Sequence, residues 1–299
     1  MLDLPSDVAH HHAALSQVYA KQTLFFVGGY PKSGTTWLQI LLNAHPEVSC
    51  IGEGHLANQL VPLLCQGIAQ HHAMVQDKNT TVLQELPGFP LLSDGQVNYL
   101  LASAIAMLLM APPKAASARA IGEKTPDNHM FFPQLAALFP TARFINIVRD
   151  GRDCAVSAWF HNRRVDPDYQ ARDFTTLDEE IEPHADHWSG VVGACLDWCE
   201  TRPAQCLLVR YEDLVANTTH ELRKIFAFLG VTASDAVVAR CREDGAFERL
   251  SGGRVAGQED SNSLFRRGLP GDWHNHFSTA DNIRYFAIAG DVLARLGYR

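Results

Sequence analysis

The stretch FFVGGYPKSGTTWLQILL, from Phe25 to Leu42, brings glycines, a lysine and two hydroxyl residues together just ahead of an apolar run. Gly28 and Gly29 suit a sharp backbone turn. The amides of Ser33, Gly34, Thr35 and Thr36 then fall at a helix N-terminus, where unpaired N–H groups and the helix dipole favour an anion. Lys32 adds a full positive charge, and the threonines add hydroxyl donors. A nucleoside-triphosphate loop reads Gly-Lys-Ser/Thr, sending the lysine to the terminal phosphates and the hydroxyl to Mg²⁺. Here Lys32 precedes Gly34, and Thr35–Thr36 take the place of that pair. A P-loop kinase or NTPase is therefore the weaker reading, and another anion is expected. The plain alternative is a tight strand-to-helix turn with a solvated lysine.

Three strand–loop–helix units must position such a site. TLFFVGGY is a buried-strand pattern entering TTWLQILLNA, whose apolar residues have helical spacing before Pro46. Phe144 to Val148 form a second strand, Asp150–Gly151 a turn, and Cys154 to Phe160 a helix. QCLLVRYEDL is the third strand, followed by TTHELRKIFAFLG, which closes on Gly230 as a C-cap. This alternation predicts an α/β fold, a parallel sheet flanked by helices, with ligands beyond the carboxyl ends of the strands. The Lys32 and Arg149 loops both occupy that position.

Single-domain organisation over residues 1–299 is expected, with a mostly helical insert-like segment at about 55–114 that lacks a clear strand. Arg163 to Trp188 reads as polar, acidic and irregular. Both segments fit either an acceptor pocket or surface packing. The Gly/Ser-rich stretch at about 251–264 is expected to be mobile.

A net charge of −8 excludes general nucleic-acid affinity and requires a local basic site for any anion. Seven scattered cysteines without a C-x-x-C pair suit a reducing, cytoplasmic compartment; Cys195 and Cys199 read as core residues. The N-terminus lacks a signal-peptide pattern. The apolar run Tyr99 to Ala111 falls short of the roughly 18 residues of a membrane span and reads as a buried helix.

YPKSGTTWLQ resembles the 5′-phosphosulfate loop of sulfotransferases that use 3′-phosphoadenosine 5′-phosphosulfate (PAPS) and release 3′,5′-adenosine bisphosphate (PAP). The resemblance recurs in order. FINIVRDGRDCAVSAWFH is similar to the family's 3′-phosphate motif, giving that role to Arg149 and Ser157. VRYEDL resembles the strand bringing an adenine-contacting tyrosine, Tyr211; Trp37 and Phe247 complete the aromatic set, although Phe247 also suits a core. FRRGLPGDWHNHFS is similar to the cytosolic branch's C-terminal signature, which places Arg266, Arg267 and Gly268 on the 3′-phosphate. The matches run from Phe25 to the C-terminus and imply a P-loop NTPase-like fold of the sulfotransferase type. They also imply PAPS as co-substrate, PAP as product, no catalytic metal, and sulfuryl transfer to a hydroxyl or amine of a small-molecule or peptide acceptor.

The chain departs from the cytosolic branch at GEKTPDNH, where Lys124 is kept but Pro126 stands at the place of the catalytic histidine. NAHPEVSCIGEGH instead resembles the tyrosylprotein, Golgi-type branch and nominates Glu53 as base, with His55 and His129 as rivals. Lys124 is expected to contact substrate or to pair with Glu123 or Asp127. His274, Thr279 and Ile283 replace the lysine, valine and glutamate of the cytosolic branch's dimer signature, leaving the oligomeric state open. The alternative to an enzyme is a PAPS- or PAP-binding module with weak chemistry.

Overall fold

The computed structural model describes residues 8–166, 168 and 173–299. Its centre is a sheet of strands β1 (Thr23–Gly28), β2 (Val48–Gly52), β3 (Ala120–Lys124), β4 (Arg143–Val148) and β5 (Cys206–Arg210). Their spatial order is β2-β3-β1-β4-β5, and every neighbouring pair is parallel. Val27 on central β1 sits opposite Lys124 on one side and Ile145 on the other. This is the parallel, helix-flanked α/β sheet that the alternating pattern predicts.

The continuous apolar run of β1 follows from burial on both faces. Phe25 and Val27 join Leu38, Leu41, Ile147 and Phe226 on one side of the sheet. Phe26 and Leu24 join Ile105, Ile121, Phe132 and Phe144 on the other. Each fully buried side chain of this size contributes roughly 1.5–3 kcal/mol relative to exposure. The covering helices are α1 (Val8–Lys21), α2 (Thr35–Asn43), α3 (Val61–Lys78), α4 (Asp94–Met110), α5 (Asn128–Leu138), α6 (Gly151–Val165) and α7 (Leu177–Glu200). They continue with α8 (Tyr211–Ala216), α9 (Thr218–Leu229), α10 (Asp235–Asp244), α11 (Phe247–Leu250) and α12 (Thr279–Arg295). Helices α6, α7 and α12 share a further core around Ile181, Trp188 and Tyr285. Gly230 ends α9 with φ 72, the expected left-handed C-cap.

Four features differ from the sequence expectations. Strands β2 and β3 were not anticipated. The segment read as irregular, Arg163 to Trp188, holds the end of α6 and the start of α7, and its residues 167 and 169–172 lie outside the described residues. Its acidic residues Asp178, Glu179 and Glu180 occupy the first turn behind a Thr176–Glu179 capping box, where carboxylates favour a helix. Helix α4 buries Leu101, Ile105 and Leu109, but Tyr99, Leu100, Met107 and Leu108 are exposed, so it is covered on one face only. Cys199 at the end of α7 is disulfide-bonded to Cys206 at the start of β5, a pairing contrary to an all-reduced set. Among the described residues, no helix is long and apolar enough to cross a membrane.

Candidate active site

Every strand delivers a candidate residue to the same edge of the sheet. The Lys32 loop follows β1, Glu53 follows β2, Lys124 ends β3, Arg149 follows β4 and Tyr211 follows β5. Together with the C-terminal loop they surround a cavity of about 1210 Å³. Of the expected residues, Lys32, Gly34, Thr35, Thr36, Trp37, Glu53, Arg149, Ser157, Tyr211, Phe247, Arg266, Arg267 and Gly268 line it. Ser33 and Lys124 do not contribute to the wall. Ser33 is turned inward, its amide donating to the Tyr30 carbonyl (3.0 Å) and its hydroxyl beside Cys154 Sγ (3.5 Å).

The glycines of the loop act differently from one another. Gly34 has φ 95, and a Cβ there would meet the Tyr211 ring at 2.6 Å. Gly28 and Gly29 are required by close approach rather than by a special turn. A Cβ on them would lie 2.4 Å from the His129 nitrogen and 2.2 Å from the Ile147 carbonyl oxygen. Two non-glycine residues of the wall, Lys32 (φ 72) and Glu53 (φ 44), hold left-handed backbone. Each such residue costs roughly 1–3 kcal/mol, a strain concentrated at functional sites. Thr35 and Thr36 open α2, where no preceding turn supplies carbonyl partners for their amides.

Glu53 is pinned from two sides. Its own amide donates to the Lys124 carbonyl (2.5 Å), and the next amide, of Gly54, donates to Glu123 Oε1 (2.9 Å). Glu123 is fully buried, also accepts from Thr125 and from Asn128 Nδ2 (2.6 Å), and is pushed above the usual carboxylate range by burial. Lys124, 1% exposed, donates through Nζ to Glu53 Oε1 (2.6 Å) and to Thr36 Oγ1 (3.2 Å). Its partner is thus Glu53, not Glu123 or Asp127, and it reaches the cavity only through Glu53 and Thr36. The Lys124 hydrogen bond holds the Glu53 carboxyl below its ordinary range, against the effect of burial. Burial lowers the Lys32 ammonium to about 8, and the neighbouring Arg164 and Arg149 cations push the same way.

Neither rival histidine lines the cavity. His129 is buried, and its Nδ1 lies 2.7 Å from the Pro126 carbonyl. His55 Nδ1 accepts from Asn58 (3.2 Å).

The basic residues divide into two groups. Arg149 donates to the Lys32 carbonyl (3.2 Å) and to Asp153 (3.3 Å), lies 4.5 Å above the Tyr211 ring, and its buried Nε has no partner among the described residues. Arg266 and Arg267 both pair with buried Asp272, and Arg266 also with Glu259 (2.7 Å). Tyr211 and Trp37 meet edge to face at 5.7 Å, with Trp37 Nε1 donating to the Gly245 carbonyl (2.8 Å). Phe247 is half-buried against Gly268 and belongs to the cavity wall rather than to a core. An orphaned guanidinium nitrogen, a helix N-terminus and an aromatic wall fit a nucleotide with two anionic ends. Among the described residues, no group of three or more His, Cys, Asp or Glu side chains is placed to hold a metal ion.

Further wall residues were not nominated from the sequence: Tyr30, His161, Glu180 and His184. His161 follows Ser157 by one helical turn, so the i, i+4 rule was the signal that placed it on the same face. Tyr30 carries its hydroxyl 3.0 Å from His187 Nδ1, a pairing between loop and α7 that spacing does not reveal.

The family model for the sulfotransferase family matches residues 25–235. The chain belongs to the sulfotransferase family. The class expected from the ordered motifs, a PAPS-dependent sulfotransferase, therefore stands. The sulfotransferase is 27% identical over 277 residues to a putative protein-tyrosine sulfotransferase of Caenorhabditis briggsae, covering 93% of this chain and 89% of the relative. It is 29% identical to the protein-tyrosine sulfotransferase of Drosophila melanogaster, covering 72% of this chain but only 39% of that protein. Its fold matches mouse sulfotransferase SULT7A1 complexed with PAP, with TM-score 0.56, 21% identity, and 93% and 88% of the two chains covered. It also matches the sulfotransferase domain of the Synechococcus PCC 7002 olefin synthase, with TM-score 0.53, 22% identity, and 91% and 94% covered.

Proposed function

We propose that the sulfotransferase moves the sulfuryl group of PAPS to the phenolic hydroxyl of a tyrosyl side chain in a peptide. The observation carrying this reading is the Glu53–Lys124 pair at the cavity, with Pro126 where the cytosolic branch has its histidine. Relatives called protein-tyrosine sulfotransferases support the choice of acceptor.

The Lys32 loop and the first turn of α2 receive the 5′-phosphosulfate. Arg149, Ser157, Arg266, Arg267 and Gly268 receive the 3′-phosphate, and Trp37, Tyr211 and Phe247 the adenine. Glu53, ionised beside Lys124, accepts the phenol proton as the new O–S bond forms and the S–O bond to the departing phosphate breaks. Lys32 neutralises charge growing on that phosphate, with the α2 amides as fixed donors. Lys124 positions Glu53 and Thr36 rather than touching the reacting atoms. All of chain 1–299 is assigned to one catalytic domain, with the 251–264 loop closing over the nucleotide.

Acceptor-dependent PAP release tests the reading with two probes, a tyrosine-containing peptide and 4-nitrophenol. PAP release together with sulfate on the peptide tyrosine supports it. Turnover of 4-nitrophenol alone overturns the peptide acceptor, and no PAP release with either probe leaves the binding-module alternative. The compartment is tested separately, because a cytoplasmic location and the Cys199–Cys206 bond pull in opposite directions. Thiol alkylation in intact cells followed by mass mapping decides: two free thiols favour the cytoplasm, an oxidised pair rejects it.

A further inference from the structure

His161 sits on α6 one turn beyond Ser157, half-buried, and lines the cavity together with Lys32 and Glu53. Its Nδ1 lies 3.0 Å from Arg164 Nη2. A guanidinium has only donors, so Nδ1 must be the acceptor. In the neutral ring the proton is then on Nε2. The surroundings favour the neutral ring: burial first, then the Lys32 and Arg164 cations, lower its pKa against the opposing charge of Glu53. Arg164 is itself held by the Asn262 carbonyl (3.2 Å), which fixes the donor that selects the tautomer.

We propose that His161 is a hydrogen-bond donor of the reaction centre, presenting Nε2–H to the oxygens of the sulfuryl group in transit, with Arg164 as the positioning residue that sets its tautomer. A ring in this state has no free lone pair for the acceptor proton, which leaves the base role to Glu53. The inference rests on the sulfuryl-transfer reading of the cavity and adds to it a neutral donor beside the Lys32 charge. Negative charge spread over sulfuryl oxygens during transfer is stabilised by such a preoriented donor without reorganisation.

The test has two independent arms. The first is ring ¹⁵N NMR on the PAP-saturated protein: a protonated Nε2 and an unprotonated, hydrogen-bonded Nδ1 are expected at neutral pH. Arg164→Met should convert this to a mixture of tautomers. A proton on Nδ1 in the wild-type protein overturns the proposal whatever the reaction proves to be. The second arm is kinetic, with 4-nitrophenol and the tyrosine-containing peptide as acceptors. Removal of a fully buried oxyanion donor costs about 10²–10³ in rate, so the half-buried His161→Phe should lose about 10–100-fold in kcat. PAP affinity and the KM for PAPS should change less than about threefold. His161→Gln, whose amide replaces the Nε2–H donor, should recover about tenfold of that loss. The acid limb of the kcat/KM profile should survive in both variants, because it belongs to Glu53. Wild-type kcat in His161→Phe, equal loss in Phe and Gln, or disappearance of the acid limb each overturns the proposal. Failure of wild-type protein to release PAP with either acceptor, with the expected NMR tautomer in place, instead locates the fault in the sulfuryl-transfer reading and removes the proposed role with it.

Discussion

Glu53→Gln removes one charge and one basic oxygen while leaving an amide oxygen within reach of Lys124. Lys124 Nζ is almost wholly buried and has two hydrogen-bond partners among the described residues, Glu53 at 2.6 Å and Thr36 at 3.2 Å. Replacing the carboxylate turns a charge-assisted bond with an anion into one with a neutral acceptor. The loss is about 1–2 kcal/mol by the difference between those bond classes. The Glu53 side chain is 52% exposed, so screening by solvent places the effect at the lower end. At this chain length that lowers Tm by a few degrees. The rate should respond far more. Loss of a general base costs about 10²–10⁴, equivalent to roughly 2.7–5.4 kcal/mol of barrier. The assay is acceptor-dependent PAP release, with Tm and PAP affinity measured on the same preparation. The expected variant is folded, binds PAP within about threefold of wild type, and has lost at least a hundredfold in kcat. The base assignment is falsified if Glu53→Gln keeps kcat within about fivefold of wild type. A parallel fall in kcat and PAP affinity would equally refute it, since that pattern belongs to a collapsed loop rather than a missing base.

Further expectations follow from the same wall. Because Lys32 is depressed to about 8, its charge is present below that pH and lost above it; kcat/KM for PAPS should fall on the alkaline side from about pH 8. Lys32→Ala should remove that limb and lower kcat much more than PAP affinity; an unchanged limb would assign it elsewhere. Calorimetry should find PAP bound at least tenfold more tightly than 5′-AMP, since charge-assisted contacts from Arg149 are worth roughly 1.5–3 kcal/mol each, and equal affinities would remove the 3′-phosphate site from Arg149, Ser157 and Arg267. Hydrogen exchange over Ser251 to Gly268 should slow on addition of PAP, and exchange indifferent to PAP would reject closure of this loop.

How much of this was legible in the sequence depended on whether each element obeyed a local rule. β1 and its loop did: an unbroken apolar run, then glycines, then a helical period. β2 and β3 escaped because VSCIG and AIGEK are short and β3 ends in two charges. A strand is not expected to bury Glu123 and Lys124, and only the tertiary partners explain it: the Gly54 amide, Asn128, Glu53 and Thr36. α7 was hidden by acidic residues that resemble a loop until they are seen as the first turn of a helix. The candidate site was legible as motifs, which gave residue identities but not directions. Ser33 pointing inward, Lys124 acting behind Glu53, and the encounter of Arg164 with His161 all depend on side-chain geometry fixed by packing between distant segments.

If Arg266 and Arg267 hold the 3′-phosphate as proposed, their pairing with Asp272 bears on how a nucleotide leaves. Two guanidiniums gripping a phosphate in a sheltered cavity make a tight product complex, and an empty grip would face uncompensated repulsion. On the proposed reading, in which Arg266 and Arg267 hold the 3′-phosphate, Asp272 would be a resident stand-in for it. On that reading, the arginines would fall back onto a carboxylate already in place when the nucleotide departs. Binding would be weakened by the contact that must first be given up, while the barrier to departure would be lowered by the same contact as it re-forms. On the proposed assignment, Asp272 would thereby set the balance between holding PAPS long enough to react and releasing PAP soon enough to turn over.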